Sequence, residues 1–339
     1  MIRIFDYHDD FPLEGGGSLP GIVIAYHVFG TPNADGSNYV WVCHALTANS
    51  DVADWWPGTV EPGRFLDPTR YCIVCANILG SCYGTTGPLS VNPATGELWY
   101  DDFPQISVRD MVHAHQLLAR HLGIRQVEML IGSSVGGFQA VEWAVEESAF
   151  ARRLLLIATA ARATAWVAAF NSSQRMAIES DSTWGQHHAE AGLQGMAAAR
   201  SIALLSYRGR AAYCKTQEEN DSVLFNRRVD SYQRYQGEKL MKRFNAYSYY
   251  RMTEAVDSHD VGRDRGGVAA ALARIQARTL VVAISSDLLF PPEEMREITA
   301  MIPHASMKVI DSDFGHDGFL VESDLLNDII ERFNDRKAG

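Results

Sequence analysis

The sequence predicts an α/β fold in which a mostly parallel sheet is covered by helices on both faces. The chain contains short apolar runs, several without polar alternation, which is typical of strands buried on both faces. Stretches with helical periodicity separate these runs, so strands and helices alternate as in right-handed βαβ units. At 339 residues the chain is long enough for one large domain that carries an insertion.

Seven apolar runs are predicted as strands, and a parallel sheet suits them because helices would cover both of its faces. A helix is expected after Gly136, and another over residues 323–335. The predicted strands cover residues 22–29, 39–44, 71–78, 127–132, 153–159, 279–285 and 307–311.

Residues 108–122 are predicted as an amphipathic helix because their apolar side chains recur on one face. Ser107 is the expected N-cap, Asp110 stands at the third helical position, and Gly123 follows the last turn. His115 lies on the apolar face, and we interpret it as a packed core histidine, with a ligand role as the alternative.

The alternation of strands and helices stops in the second half of the chain. Helical patterns occur there at residues 196–207 and 223–235, with no convincing strand. Helices inserted between late strands lie near the carboxyl ends of the sheet, where open α/β sheets bind ligands. The insertion is therefore a candidate lid, and a dimerisation element is a second, compatible role. The predicted division is a core of residues 1–161 and 271–339 and a helical lid of residues 162–270.

Composition and charge exclude several functional classes. The net charge is −11 and the pI is near 5.4, so no positive field attracts nucleic acid. No apolar run approaches the ~18 residues of a membrane span. The N-terminal segment is acidic and lacks the apolar core of a secretory signal. We expect a cytoplasmic protein with neither a membrane nor a nucleic-acid partner.

The five cysteines are an odd number in a long chain, which predicts reduced thiols rather than a disulfide framework. Cys72 and Cys75 form a C-x-x-C pattern followed by Cys82, so a metal site is the alternative to consider. Residues three apart on a strand point to opposite faces and cannot both bind one ion. We therefore interpret these residues as core cysteines and predict no metal.

The segment GSSVG at residues 132–136 fits the G-x-S-x-G pattern directly after an apolar strand and before a helical pattern. This context is a nucleophile elbow, where small flanking residues permit the tight turn that exposes the serine oxygen. Ser134 is the predicted nucleophile. Ser133 is less suitable, because that choice would require glycine where Ile131 and Val135 stand.

A nucleophilic serine at such an elbow needs a histidine base and an acid, which follow in the order Ser, Asp, His. Asp287 comes just beyond a predicted strand, and His316 follows the next strand in a loop bracketed by glycines. A helix N-cap is the alternative for Asp287, and a solvent-facing loop histidine for His316. Asp313 and Asp317 compete as the acid, but both lie too close to His316 in sequence.

The oxyanion of an acyl-transfer reaction requires two N–H donors, and removing one typically costs ~3 kcal/mol of transition-state stabilisation. The residue after the nucleophile, Val135, supplies the first N–H. The strand over residues 39–44 ends in a turn, so the Ala45–Leu46 region is the expected source of the second.

Together these features resemble the homoserine O-acetyltransferase family, acyltransferases of methionine biosynthesis with the α/β-hydrolase fold. The similarity runs from Phe11 almost to the C-terminus, and plain esterases share the triad but not this set of blocks. The resemblance implies an α/β-hydrolase fold with a helical lid. The matching blocks are FPLEGGG, IAYHVFG, HALT, ANILGSCYGTTGPLSVNPATG, DDFPQISVRDMV, GSSVGGFQA, SDLLFPP and FGHDGFL.

The resemblance also implies roles for individual residues. Ser134, His316 and Asp287 correspond to the nucleophile, its base and the orienting acid, and Leu46 and Val135 to the oxyanion donors. In the segment ARSIALLSYRG, the family pattern points to Arg200 for the substrate carboxylate and to Tyr207 seven residues later. Asp317 resembles the acid that meets the substrate ammonium. A zwitterionic amino acid needs such a cation and carboxylate, and Arg208 and Arg210 are rivals for Arg200.

The implied activity is acetyl transfer from acetyl-CoA to the hydroxyl of L-homoserine by a ping-pong acyl-enzyme mechanism. Acetyl-CoA is a co-substrate, no cofactor is expected, and the family implies a homodimer through the helical insertion. Ala48–Asn49 and Val135 differ from the common family pattern beside the acyl pocket. Succinyl-CoA as donor, serine as acceptor, a small-ester hydrolase and a binding scaffold with an unused triad are the alternatives.

Overall fold

The computed structural model describes residues 1–220 and 222–335. Residue 221, in the predicted insertion, and residues 336–339, in the predicted core, lie outside the described residues. Ten strands occur in the described part: β1 (Arg3–Tyr7), β2 (Phe11–Pro12), β3 (Ser18–Leu19), β4 (Ile22–Phe29), β5 (Tyr39–Cys43), β6 (Cys72–Ala76), β7 (Val127–Ser133), β8 (Ala151–Ile157), β9 (Arg278–Ile284) and β10 (Ala305–Ile310).

Helices connect and cover the strands, and two 3-10 turns accompany them at Tyr100–Asp102 and Gly315–Asp317. The α-helices of the described residues are α1 (Val52–Trp55), α2 (Val108–His121), α3 (Val135–Glu146), α4 (Ala165–Glu179), α5 (Leu193–Tyr207), α6 (Arg210–Thr216), α7 (Arg228–Met241), α8 (Ala246–Asp257), α9 (Val268–Leu272), α10 (Pro292–Met301), α11 (Gly318–Val321) and α12 (Ser323–Asp335).

The central sheet has eight strands in the order β1-β4-β6-β5-β7-β8-β9-β10. The six strands from β6 to β10 in this order are parallel to one another, whereas β1 and β4 pair antiparallel at one edge. Strands β2 and β3 form a separate hairpin. The carboxyl ends of β5, β7, β9 and β10 consequently lie at one edge of the sheet.

The seven predicted strands are confirmed, with boundaries that differ by at most two residues. Strand β1 was missed. It is an edge strand with largely exposed side chains, so it lacks the apolar run by which the buried strands were recognised. The predicted α/β class is also confirmed, because the eight-stranded, mostly parallel sheet carries an apolar core on each face.

Helix α2 confirms the prediction over residues 108–122. The Ser107 side chain accepts the Asp110 N–H while the Asp110 carboxylate accepts the Ser107 N–H, which forms a capping box. The prediction of a helix at residues 223–235 is wrong in its first five residues, because α7 begins at Arg228. Asn226 has a φ of +55°, which interrupts right-handed helical geometry just before that start.

Two apolar cores lie on opposite faces of the sheet. The larger core contains Trp41, Phe138 and Trp143, and α2 and α3 pack there. The smaller core is built around Trp56 and the aromatic side chains near it, together with apolar residues of α12. Because both faces are covered, the central strands present apolar side chains in both directions.

The candidate core residues behave as side chains of these two cores. His115 is fully buried, with its ring centroid 5.8 Å from that of Trp41, and burial lowers its pKa to about 3. Cys72 and Cys75 are buried in β6, and burial raises the pKa of Cys72 to about 11. Within residues 1–220 and 222–335 no group of three His, Cys, Asp or Glu side chains is arranged to hold a metal ion.

Helices α4 to α9 all lie between β8 and β9 in sequence. Arg162 and Asp260 form an antiparallel bridge, so after α8 and before α9 the chain returns beside the point where it enters α4. Helix α4 packs against α5 and α8, and α5 also packs against α7. In the part of the chain described, none of the helices combines the length and apolar character needed to cross a bilayer.

Candidate active site

Ser134 occupies the turn between β7 and α3. Its backbone has φ +54° and ψ −125°, a conformation that residues with a side chain rarely adopt. Such strain persists only where the surrounding structure imposes it, and a nucleophile elbow is one such place. Ser133 is the last residue of β7 and is fully buried, and its hydroxyl has no hydrogen-bond partner among the described residues.

The two glycines of the GSSVG segment are needed for close backbone contacts. A Cβ atom at Gly132 would lie 2.1 Å from the Gly136 carbonyl oxygen, and one at Gly136 would lie 2.0 Å from the Cys43 carbonyl oxygen. Only glycine allows β7, α3 and the end of β5 to approach in this way. The spacing of the motif therefore reflects the packing of three backbone segments around Ser134.

We expect Gly136→Ala to destabilise the protein by about 1–3 kcal/mol or more, because the added methyl group overlaps backbone atoms. Thermal unfolding measures this change, and acetyl-enzyme formation should fall with it because the elbow must move. Gly15→Ala is the matched control, since a Cβ at Gly15 meets no atom within 4 Å. Equal melting temperatures for the two variants would contradict the packing argument.

Ser134, His316 and Asp287 form one hydrogen-bonded chain. The Ser134 hydroxyl lies 2.9 Å from His316 Nε2, and His316 Nδ1 lies 2.8 Å from Asp287 Oδ2. The three side chains follow β7, β10 and β9 respectively, so the parallel sheet brings them together at its carboxyl edge. All three are buried. With Nδ1 donating to the carboxylate, Nε2 is free to accept the serine proton.

Backbone groups hold the Asp287 carboxylate in place. Its Oδ1 atom accepts hydrogen bonds from the N–H groups of Leu289 at 2.8 Å and Phe290 at 3.1 Å. The turn that follows β9 therefore fixes one carboxylate oxygen and leaves the other, Oδ2, for His316. The helix N-cap alternative for Asp287 does not describe this geometry, because the first helical residue of α10 is Pro292.

Burial and charge act in opposite directions on the His316 imidazole. Burial favours the neutral ring, but the charge and hydrogen bond of Asp287, together with the charge of Asp317, outweigh it and raise the His316 pKa. The rings of Tyr207, Phe290 and Phe319 lie with centroids 5.3 to 5.8 Å from that of His316. Because these three aromatic rings lie next to His316, they limit the access of water to its imidazole.

We expect the rate of Ser134 acylation to fall as the pH is lowered. The midpoint of this acid limb should lie above the ordinary histidine pKa of about 6.5. His316 must be neutral to accept a proton, and its pKa is raised, so activity is lost as the pH falls through that raised value. The pH profile of p-nitrophenyl acetate acylation measures the limb. Asp317→Asn should move it to lower pH, and a limb at or below 6.5 in the unmodified protein would contradict the assignment.

The two predicted oxyanion donors lie on adjacent segments. Val135 is the first residue of α3, so its N–H has no acceptor within the helix. Leu46 follows the end of β5, whose Cys43 pairs in register with Gly132 of β7. The Gly136 contact described above brings this loop against the start of α3. Both N–H groups remain candidates for stabilising an oxyanion at Ser134.

His44 orients the loop that carries Leu46, a role that its sequence pattern does not predict. Its Nε2 accepts the Ile78 N–H at 3.1 Å, so Nδ1 carries the proton and donates to the Ala45 carbonyl at 2.9 Å. Burial lowers the His44 pKa to about 4 and keeps the ring neutral. The available sequence signals were its position directly after a buried strand and its place in the HALT block.

Arg243 connects the helical region to the same loop and was also missed. Its Nη1 donates to the Thr47 carbonyl and, at 2.7 Å, to the Tyr83 hydroxyl. Arg243 lies between α7 and α8, about 200 residues from Thr47 in the chain. No local pattern connects two such distant positions, so only the tertiary structure reveals this contact.

The predicted substrate-binding residues also surround the histidine. The Arg200 guanidinium lies 5.3 Å from the centre of the Tyr207 ring, and that ring lies 5.8 Å from the His316 ring. Asp317 directly follows His316, and its Oδ2 lies 2.9 Å from Arg208 Nε. Arg208 is therefore already paired with a carboxylate, whereas Arg200 makes no ion pair with any of the residues that the structure describes.

Comparisons with known proteins support the fold described above. The family model for the alpha/beta hydrolase fold matches residues 38–323. The crystal structure of homoserine O-acetyltransferase from Bacillus anthracis superposes with a TM-score of 0.94 at 23% identity, over 100% of this chain and 98% of that one. That likeness concerns the fold.

Sequence relatives decide the family. The homoserine O-acetyltransferase of Cyclobacterium marinum is 43% identical over 98% of this chain and 94% of its own length. That of Chlorobaculum tepidum is 40% identical over 98% and 94%. The chain belongs to the homoserine O-acetyltransferase family. It therefore belongs to a family of acyltransferase enzymes, as its sequence blocks had indicated.

Not every block that resembles the homoserine O-acetyltransferase family lies at the triad. Glu14 of FPLEGGG accepts a hydrogen bond from Arg109 Nη1 at 2.6 Å, and Arg109 Nε donates to the buried Glu142 at 2.8 Å. Arg265 adds a second ion pair to Glu142 at 2.7 Å. This block therefore connects the N-terminal segment to α2, α3 and the segment before α9, away from the triad.

Proposed function

We propose that the protein transfers an acetyl group from acetyl-CoA to the hydroxyl of L-homoserine, giving O-acetyl-L-homoserine for methionine biosynthesis. The observation that carries this proposal is the hydrogen-bonded Ser134–His316–Asp287 chain, which has the Asp317 carboxylate beside it. Arg200, which makes no ion pair with the described residues, lies against the Tyr207 ring next to His316. The naming of the relatives, at 40–43% identity over nearly the whole chain, supports the choice of substrates.

In the first half-reaction Ser134 is the nucleophile. His316 Nε2 accepts its proton as Oγ attacks the thioester carbonyl of acetyl-CoA. The negative charge that develops on the carbonyl oxygen is directed toward the N–H groups of Val135 and Leu46. When the carbon–sulfur bond breaks, His316 returns the proton to the CoA sulfur, and the acetyl group remains on Ser134.

In the second half-reaction the roles of the oxygens are exchanged. The homoserine hydroxyl gives its proton to His316 Nε2 and attacks the acetyl carbonyl. The bond between the acetyl carbon and Ser134 Oγ then breaks, and His316 protonates the released serine oxygen. Asp287 stabilises the imidazolium that forms in both half-reactions. Neither step uses a metal or prosthetic group.

Recognition of the acceptor follows from its charges. Homoserine carries a carboxylate and an ammonium group, and we assign these to Arg200 and Asp317 respectively, with Tyr207 between Arg200 and the base. Water competes for the acetyl-enzyme. A well-oriented acceptor can reach an effective molarity of about 10⁵ M, which favours transfer over hydrolysis when the acceptor is held correctly.

Intact-mass analysis tests both half-reactions. Mixing the protein with acetyl-CoA alone should add the mass of one acetyl group, located on Ser134 by peptide mapping, and homoserine should remove it with formation of the ester. If succinyl-CoA acylated Ser134 faster than acetyl-CoA, succinyl-CoA would be the donor. If serine discharged the acetyl-enzyme faster than homoserine, serine would be the acceptor. Discharge by water at the same rate with or without homoserine would indicate a small-ester hydrolase.

The proposal includes a homodimer formed through the helical region. Several large apolar side chains there are exposed, among them Met176, Leu205 and Phe225. Light scattering after size-exclusion chromatography measures the oligomeric state, and a monomer at micromolar concentration would contradict the proposed homodimer.

We also propose a cytoplasmic location, which the five free cysteines support because disulfides are rare in that compartment.

A further inference from the structure

The end of α5 contacts the loop of the catalytic histidine through backbone atoms. A Cβ at Gly209 would lie 2.0 Å from the Asp313 carbonyl oxygen, and one at Gly315 would lie 2.3 Å from the Gly209 nitrogen. Gly209 has an ordinary φ of −67°, so its glycine serves this approach rather than an unusual conformation. The two segments of backbone are therefore in direct contact immediately before His316.

The residues beside these glycines form an ion pair. Arg208 Nε lies 2.9 Å from Asp317 Oδ2, an ion-pair distance at which the N–H is not aligned for a hydrogen bond, and the two side chains are 30% and 16% exposed. The backbone contact fixes the distance between α5 and the histidine loop, and thereby the place of Arg208 relative to Asp317. The ion pair between Arg208 and Asp317 uses only Oδ2 of the carboxylate, which leaves Oδ1 for a second cationic partner.

The charge of Arg208 offsets part of the effect of burial on the pKa of Asp317. Burial raises its pKa, and the positive charge of Arg208 is the largest influence in the other direction, ahead of His316 and Arg200. A protonated carboxyl would bind an ammonium group weakly, because a charge-assisted hydrogen bond is about twice as strong as a neutral one.

We propose that Arg208 is a positioning residue of the acceptor site, which holds the Asp317 carboxylate charged and in place for the ammonium group of the amino-acid acceptor. This inference rests on the function proposed above. It separates the two arginines that the sequence left as rivals: Arg200 is free to receive the acceptor carboxylate, whereas Arg208 acts through Asp317 and touches no substrate.

The test separates acylation from acceptor discharge. Acylation is followed as the burst of p-nitrophenol released from p-nitrophenyl acetate. Discharge of the acetyl-enzyme is then compared for L-homoserine and for 4-hydroxybutanoate, which has the same hydroxyl and carboxylate but no ammonium group. The variants are Arg208→Gln, which removes the charge, and Arg208→Lys, which keeps it. Arg210→Gln is the control, because Arg210 is exposed and makes no ion pair within the described ranges.

We expect Arg208→Gln to lower discharge by homoserine about 10- to 100-fold more than it lowers acylation. The preference for homoserine over 4-hydroxybutanoate should fall by the same factor, Arg208→Lys should restore much of it, and Arg210→Gln should leave it unchanged. In an Asp317→Asn background, Arg208→Gln should have no further effect on this preference.

Two results would overturn the assignment and indicate a structural role for Arg208. One is that Arg208→Gln lowers the rate of discharge equally for the two acceptors, and the other is that it lowers the preference for homoserine further in the Asp317→Asn background. The ratio is internal to each preparation, so partial unfolding of a variant does not change it. If Arg208→Gln does not fold, Arg208→Lys provides the test. A loss of the preference for homoserine over 4-hydroxybutanoate in Arg208→Lys as large as the loss in Asp317→Asn would also overturn the assignment. Failure of the unmodified acetyl-enzyme to react with homoserine would instead overturn the proposed function, and this inference with it.

Discussion

Replacing Ser134 with alanine is expected to abolish acetyl-enzyme formation and to lower acetyl transfer by about 10⁴- to 10⁶-fold. The hydroxyl lies 2.9 Å from His316 Nε2 at the elbow, so its removal leaves the base without the nucleophile. Intact-mass analysis with acetyl-CoA should show no added acetyl group, and a steady-state assay with homoserine should show only residual turnover.

Ser133→Ala is the matched control for this variant. Ser133 is the adjacent residue, fully buried, and its hydroxyl has no hydrogen-bond partner in the part of the chain described. Removing an unsatisfied buried hydroxyl costs little stability, so transfer should stay within a few-fold of the unmodified protein. If Ser133→Ala lost most of its acetyl transfer and Ser134→Ala lost little, the nucleophile would be Ser133, and the assignment to Ser134 would be wrong.

The second large effect is expected for Asp287→Asn, which should lower the rate of acetyl transfer by about 10⁴-fold. The two N–H groups of Leu289 and Phe290 hold Oδ1, so the amide oxygen of asparagine should occupy that position. Its NH₂ group then points at His316 Nδ1, which must become an acceptor. The remaining proton moves to Nε2, and that nitrogen can no longer accept the proton of Ser134.

A profile of acylation rate against pH distinguishes this tautomer effect from misfolding. Loss of the Asp287 charge removes the largest influence that raises the His316 pKa, so the acid limb of the residual activity should move to lower pH. Asp313→Asn is the control, because Asp313 competed for the acid role in sequence yet is exposed. It should leave both the rate and the limb unchanged. An Asp287→Asn variant with near-normal activity would contradict the triad.

Much of the fold was predictable because its signals are local. Continuous apolar runs mark strands covered on both faces, and their positions were predicted to within two residues. The edge strand β1 and the start of α7 were not predicted correctly. In both places the chain is largely exposed, so packing leaves little trace in the residue pattern.

The candidate site divides in the same way. Ser134 could be predicted because its motif describes a local turn, and Asp287 and His316 because each follows a strand of a parallel sheet. The contacts of Arg243 with Thr47 and of Arg208 with Asp317 could not, since each joins residues more than 100 positions apart. His44 was quoted within a family block but had no assigned role until its two hydrogen bonds were known.

By itself, the sequence determined the α/β architecture, the nucleophile and the order of its partners, because short-range sterics and burial periodicity are written in neighbouring residues. Only the tertiary structure decided that Arg208, just after α5, pairs with Asp317, whereas Arg200, in the middle of α5, makes no ion pair with the described residues. That choice depends on how closely α5 approaches the His316 loop, and the approach is set by glycine contacts between segments far apart in the chain.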